Sequence, residues 1–159
     1  MNARVRIPSY IEALTGISDA MVRKAPMAAA VMHEVFEFVG NYPLVAHNAS
    51  FERAFWDAEL SHINRTRQQE FACSMLLSRR VFPQAPSHKL GVLVEFDGLP
   101  VAGRYHRALA DAEMAAILLA KLVEELRNRY NVSKVSHELL RKIQYVAKHR
   151  LNQCLEQHC

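Results

Sequence analysis

The chain has 159 residues, a formal net charge of +4 and an apolar content of 50%. This size and composition predict one folded domain with a hydrophobic core and exclude a disordered chain. No apolar segment reaches the ~18 to 20 residues that a membrane helix needs, and the three cysteines have no regular spacing, so we expect a cytoplasmic protein without membrane contact. The mild positive charge is compatible with a polyanionic partner but does not by itself indicate one.

The first forty residues predict a strand end followed by helices. Val5 and Ile7 alternate with arginines as the last residues of a strand do, and Pro8 ends this pattern. Two short helices are predicted over residues 10–14 and 19–23, with Ser9 and Ser18 as their N-cap residues. A longer helix over residues 27–39 has apolar residues on one face.

The middle of the chain predicts two short strands, over residues 44–46 and 71–73, each followed by a helix. Residues 44–46 are wholly apolar, as in a strand covered on both faces of a sheet. In the helix predicted over residues 50–63, the i, i+3 and i+4 spacing places Phe51 and Phe55 on a buried side and Glu52 on a neighbouring one. Further helices are predicted over residues 74–81 and 89–95.

Two helices are predicted in the last third of the chain. The helix over residues 108–129 is apolar almost all round in its first part, which predicts a central, buried helix. The last helix, over residues 133–157, has one apolar stripe: Val135, Leu139, Ile143, Val146 and Leu155. This stripe predicts either packing on the same chain or an interaction surface for a partner. We therefore divide the chain into a domain, residues 1–130, and a C-terminal helix, residues 131–159.

Asp111 is the most unusual residue of the long helix, because it lies among alanines where burial is expected. A buried carboxylate is costly unless it is paired or binds a cation. The sequence offers two partners of different kinds: an arginine, Arg104 or Arg107, or a hard divalent cation such as Mg2+ or Mn2+.

His106 precedes Asp111 by five residues, so the two side chains cannot share a helix face. On the loop just before the helix, the His106 imidazole could take a proton near a cation bound by Asp111. The alternative is a surface histidine beside a capped helix.

Two segments together resemble a known family. An apolar strand ending in HNASFE, residues 47–52, is followed after some fifty residues by HRALADA, residues 106–112. This arrangement is similar to the DEDDh (DnaQ-like) 3'-5' exonucleases, which include proofreading subunits of bacterial polymerases, ribonuclease T and oligoribonuclease. Residues 7–26 and 89–100 also resemble segments of that family, so the resemblance extends from residue 1 to about residue 127.

The resemblance implies a ribonuclease-H-like fold that removes nucleotides from 3' ends with two divalent metal ions, Mg2+ or Mn2+. By position, Asp111 corresponds to the last acid of the family, His106 to the general base and Glu52 to the acid of the middle motif. His47 and Asn48 lie where the family brings the nucleic acid close to the metals.

The chain departs from the family pattern in two places. The middle acid is usually Asp, whereas here it is Glu52, whose extra methylene changes its reach. The opening Asp-x-Glu pair on the first strand is missing, since no acidic residue precedes Glu12. We therefore expect an α/β, helix-rich, ribonuclease-H-like fold that lacks its first three strands, in a chain that starts at an internal Met, with a C-terminal helical extension.

The function predicted from these residues is a metal-dependent 3'-5' exonuclease acting on single-stranded DNA or RNA ends, impaired here by the missing pair. The alternatives are a catalytically silent relative that binds nucleic acid or protein, and a helical regulatory domain whose motifs match by accident. Because the absent strands would leave residues 44–46 at an open sheet edge, we also expect a homo-oligomer. A polymerase or other protein partner is expected to bind through the C-terminal helix.

Overall fold

The computed structural model describes residues 1–2, 4–100 and 108–157. This part of the chain is mainly helical, with two short strands, and confirms the predicted helix-rich α/β class. The elements are α1 (Ser9–Thr15), α2 (Asp19–Arg23), α3 (Ala28–Val39), β1 (Leu44–Ala46), α4 (Ala49–Ser61), β2 (Phe71–Cys73), α5 (Ser74–Val81), α6 (Leu90–Phe96), α7 (Ala108–Tyr130), α8 (His137–Ile143), a 3-10 turn (Lys148–Arg150) and α9 (Leu151–Glu156). Within these described residues, no helix has the length and apolar character needed to cross a membrane.

The two strands form a parallel pair in which Leu44 faces Phe71, Val45 faces Ala72 and Ala46 faces Cys73. Helix α4 makes the crossover between them, as a parallel connection requires. Since both strands point the same way, their C-terminal ends lie at one edge of the sheet. Residues 47–52 and the start of α5 therefore lie close together.

The main core lies between α7 and the elements around it, α5, α6, α8 and α9. Helix α7 contributes one stripe of buried residues, spaced four apart: Ala110, Met114, Leu118, Leu122 and Leu126. The prediction that this helix is surrounded by core was wrong, because only this stripe is buried. Leu109 at its start is 73% exposed.

A second, smaller core joins α3 to α4. Met32, Leu60 and Ile63 are buried there, and Phe36 and Trp56 pack against them. The indole Nε1 of Trp56 is buried without a hydrogen-bond partner among the described residues. This cluster fixes α4 against α3 and leaves the opposite side of α4 outside both cores.

Phe51 and Phe55 lie on that opposite side and are 64% and 48% exposed. The prediction that they are buried was wrong. Their spacing correctly places them on one side of α4, but none of the described elements covers that side. The apolar pattern of a helix identifies a face and does not say whether anything packs on it.

The C-terminal segment also differs from the prediction, because the helix expected over residues 133–157 is broken after Ile143. Two long-range hydrogen bonds occupy the break. The Arg80 Nε donates to the Val146 carbonyl at 3.0 Å, and the Gln144 side-chain oxygen accepts from the Cys73 backbone N-H at 2.7 Å. These tertiary contacts outweigh the modest helix propensity of the sequence.

The apolar stripe of this segment packs on its own chain. Leu139, Ile143 and Leu155 are at most 4% exposed and belong to the main core, and Val135 and Val146 pack against it. The stripe is therefore not available to a partner. A protein that binds this segment would have to contact its polar outer face.

The strand end predicted at Val5 and Ile7 was wrong for the described residues. Val5 is 70% exposed, and the backbone N-H of Ile7 donates to the Asp19 carboxylate at 2.7 Å. The extended contact in this region is a single parallel bridge between Asn2 and Met27. The N-cap role predicted for Ser18 is confirmed, since its hydroxyl accepts from the Met21 N-H. The same role predicted for Ser9 was wrong, because Ser9 is already the first residue of α1 and Pro8 is its N-cap.

Candidate active site

His47 follows the last residue of β1, and both of its ring nitrogens make hydrogen bonds inside the protein. Nε2 lies 2.9 Å from the carbonyl oxygen of His88, and Nδ1 lies 3.0 Å from the Ser74 hydroxyl oxygen. A carbonyl can only accept, so Nε2 carries the proton in the neutral ring and Nδ1 accepts from Ser74. Burial lowers the pKa of His47, which favours this neutral form.

This arrangement gives His47 a clear structural role. Its ring connects the end of β1 to the first residue of α5 and to the segment that precedes α6. With both nitrogens engaged, the ring offers no free donor or acceptor to a nucleic acid. The binding role predicted for His47 stays a prediction, and it would have to use the ring face.

Asn48 turns the chain from β1 into α4. Its backbone has φ 64° and ψ 52°, in the left-handed region that Asn tolerates better than most residues. The residue is exposed, and its side-chain oxygen accepts a 3.3 Å hydrogen bond from the Ser50 hydroxyl. The turn brings Glu52 into the first turn of α4.

Glu52 and Asp111 are brought together from α4 and α7, although they are 59 positions apart in the sequence. Partial desolvation raises the pKa of the Glu52 carboxyl, and the negative charge of Asp111 raises it further. A carboxylate whose charge raises the pKa of a neighbouring carboxyl forms with it a site of excess negative charge. Such a pair suits a hard cation, which takes oxygen ligands.

Among the described residues, few potential metal ligands accompany Glu52 and Asp111. Among residues 1–2, 4–100 and 108–157, no cluster of three or more His, Cys, Asp or Glu side chains could bind a metal ion. His106, predicted as the general base, lies outside the described residues. The described residues thus offer two carboxylates to a divalent cation, and the roles predicted for Glu52, Asp111 and His106 stay predictions.

The profile of an exonuclease family, RNase_T, matches residues 2–119 of this chain. The chain belongs to the RNase_T exonuclease family. The match includes β1, α4 and the start of α7, which carry HNASFE and Asp111. The recognition made from the sequence is thereby confirmed.

Members of the RNase_T family from several bacteria are similar to this chain. The epsilon subunit of DNA polymerase III from Aquifex aeolicus is 33% identical over 134 residues, 79% of this chain and 62% of that protein. The 3'-5' exonuclease DinG of Bacillus subtilis is 37% identical over 131 residues, 80% of this chain and 14% of that protein. A PolC-type DNA polymerase III from Caldanaerobacter subterraneus is 32% identical, and the chain spans 9% of its length.

A solved structure of the same kind supports the fold. Exonuclease X, in complex with 5' overhanging duplex DNA, superposes with a TM-score of 0.63 at 26% sequence identity. The superposition covers 88% of this chain and 75% of that one. The ribonuclease-H-like exonuclease fold predicted from the motifs is therefore confirmed.

Sequence reasoning did not identify the partners of His47. Ser74 lies 27 residues from His47 and His88 lies 41 residues from it, so no local spacing pattern links them. The available signal was indirect: Ser74 directly follows β2, and the ends of two paired parallel strands meet. His88 lies on a segment without regular structure and gives no comparable signal.

Proposed function

We propose that this chain is a metal-dependent 3'-5' exonuclease module that removes nucleotides from single-stranded nucleic acid ends. The observation that carries the proposal is the proximity of Glu52 and Asp111, evident from the effect of Asp111 on the pKa of Glu52. The exonuclease family match and the name of one relative, the 3'-5' exonuclease DinG, support the reaction class.

In this proposal, Glu52 and Asp111 bind a Mg2+ or Mn2+ ion through their carboxylate oxygens. When bound, the cation supplies an activated water and charge stabilisation at the phosphate. His106 would take a proton from the attacking water, as a histidine near its ordinary pKa can do at neutral pH. Asn48 would lie beside the strand end that enters the site.

We further propose that the 159 residues by themselves cleave slowly. The family resemblance implies four acids, and two of them are identified in this chain. The extra methylene of Glu52 also changes the reach of its carboxyl. Stabilisation of a phosphoryl transition state depends on firmly held charges, so a site with fewer ligands loses rate.

The test is digestion of a 5'-labelled single-stranded oligonucleotide with Mn2+ or Mg2+, using chain purified away from host nucleases. We expect a slow ladder of products shortened from the 3' end, lost in Asp111→Asn and kept in the matched control Glu113→Gln on the exposed side of α7. Activity of Asp111→Asn equal to that of the wild type would contradict the proposal. Binding of the oligonucleotide without any cleavage would favour the silent, nucleic-acid-binding alternative.

A further inference from the structure

Two long stretches of the chain contain no acidic residue. Residues 71–94 have three Lys and Arg residues and residues 139–155 have four, and neither stretch has an Asp or a Glu. The whole chain has a net charge of only +4, so the remaining residues carry an excess of three negative charges. The two segments therefore carry a net charge of +7 and the rest of the chain a net charge of −3.

The fold brings these two segments side by side. The Arg80 Nε donates to the Val146 carbonyl at 3.0 Å, which places the end of α5 against the chain just before Lys148. The Ser78 hydroxyl oxygen lies 3.0 Å from Nδ1 of His88, which places His88 beside the same turn of α5. Arg79 lies in α5 between Ser78 and Arg80, and its charge and that of Lys148 both act on His88. We call Arg79, His88, Lys89 and Lys148 the basic patch.

Three of the four side chains of the basic patch are open to solvent and carry no counter-charge from the described residues. Arg79, Lys89 and Lys148 are exposed, and none of them forms an ion pair with a residue that the structure describes. Burial lowers the pKa of His88, and the positive charges of Arg79 and Lys148 lower it further. The cations are close enough to repel a proton, so an anion placed here would be stabilised.

The basic patch is also connected to the candidate active site. His47 donates from Nε2 to the carbonyl of His88, the residue next to Lys89. One hydrogen bond therefore joins the end of β1 to the basic patch. Helix α4, which carries Glu52, begins shortly after this end of β1. A strand whose 3' end enters the site could continue along this surface.

From this geometry we propose that the basic patch binds the phosphodiester backbone of the nucleic acid strand, away from the scissile bond. This inference rests on the proposed function, because it assumes that the strand end lies at Glu52 and Asp111. A row of phosphates matches several exposed cations along a surface better than a single acidic side chain does. The contacts carry no base information, so the patch contributes affinity that does not depend on sequence.

The test is the salt dependence of binding to a fluorescently labelled, single-stranded 20-mer, measured by anisotropy in EDTA so that no cleavage occurs. Each phosphate contact with a single strand contributes about 0.7 to the slope of log K against log salt. We expect the double variant Arg79→Gln/Lys148→Gln to lower this slope by about 1.4 and to weaken binding about tenfold or more at 0.1 M salt. Each single variant should give about half of the change in slope.

The matched control is Arg23→Gln/Lys24→Gln, which removes two exposed charges at the end of α2. It should change the slope little, and Lys148→Arg should bind like the wild type. Equal loss in the control and the patch variant, or an unchanged slope in the patch variant, would overturn the proposal. Urea unfolding verifies that each variant is folded. EDTA removes the divalent cation, so this binding assay does not depend on cleavage. Failure of the proposed nuclease activity at Glu52 and Asp111 is measured separately, in the digestion assay.

Discussion

The Nε2 atom of His47 lies 2.9 Å from the carbonyl oxygen of His88, across 41 residues of sequence. Together with the bond to Ser74, this contact satisfies both ring nitrogens and makes His47 a junction between β1, α5 and the segment before α6. The position of α4, and therefore of Glu52, depends on this junction.

Replacing His47 by Ala should lower the free energy of unfolding by about 2 to 3 kcal/mol, since a buried group left without its hydrogen-bond partner costs about 1–3 kcal/mol. Urea denaturation at pH 7.5 measures the change. His33→Ala, at an exposed position of α3, is the matched control and should stay within about 0.5 kcal/mol of the wild type. A loss of similar size in both variants would show that the two hydrogen bonds add no stability.

The stability of the fold should fall as the pH drops below 6.5, the ordinary pKa of histidine. Burial lowers the pKa of His47 and of His88 in the folded protein. The unfolded chain therefore binds protons first, and the stability present above pH 6.5 is lost as the pH falls towards the folded-state pKa values. Unfolding curves between pH 7.5 and 5 measure this loss, which should be smaller in His47→Phe. The same pH profile in both proteins would exclude a contribution from His47.

Glu52 shows the opposite pH dependence, because desolvation and the charge of Asp111 raise its pKa. The stability linked to Glu52 is present at low pH and is lost as the pH rises through its folded-state pKa. At pH 7 the Glu52→Gln variant should therefore be slightly more stable than the wild type, by less than about 1 kcal/mol because an exposed pair is screened by solvent.

Mn2+ should make the wild type more stable than Glu52→Gln, because the ion neutralises the carboxylates of Glu52 and Asp111. Thermal unfolding with and without the ion should show a rise in Tm for the wild type and for Glu113→Gln, and none for Glu52→Gln or Asp111→Asn. An equal rise in all four proteins would mean that the ion binds elsewhere.

The exposed Phe51 and Phe55 predict self-association through the open side of α4. Burying apolar surface contributes about 25 cal/mol per Å2, so the two aromatic side chains together favour association by several kcal/mol. Sedimentation velocity at micromolar concentration should show a dimer or larger species, and Phe51→Ser/Phe55→Ser should shift it to monomer. Tyr10→Ser, at an equally exposed aromatic on α1, is the control. A monomeric wild type would refute the prediction.

Local patterns in the sequence predicted the elements that depend on local chemistry. The apolar run of β1 and the polar residues that follow it predicted the strand and the start of α4 to within a residue. The same holds for β2 and α5, which begin and end where their sequence predicts. In these places, propensity and burial favour the same structure.

Contacts between distant residues account for what the sequence did not predict. The break after Ile143 is stabilised by bonds from Arg80 to Val146 and from Cys73 to Gln144, partners separated by 66 and 71 residues. The exposure of Phe51 and Phe55 depends on which element covers α4, and helical periodicity contains no information about that. The pairing of Glu52 with Asp111 was inferred only through the family motifs.

The packing of the C-terminal segment on the main core affects the order in which the protein can fold during synthesis. Leu139, Ile143 and Leu155 complete the core around α5 and α7, and Gln144 satisfies the backbone of β2. Synthesis runs from the N-terminus to the C-terminus, so β2 and α5 emerge before residues 139–155 and wait without their cover. The nascent chain thus exposes apolar surface until residues 139–155 are free to pack, and during that interval a chaperone has the most to protect.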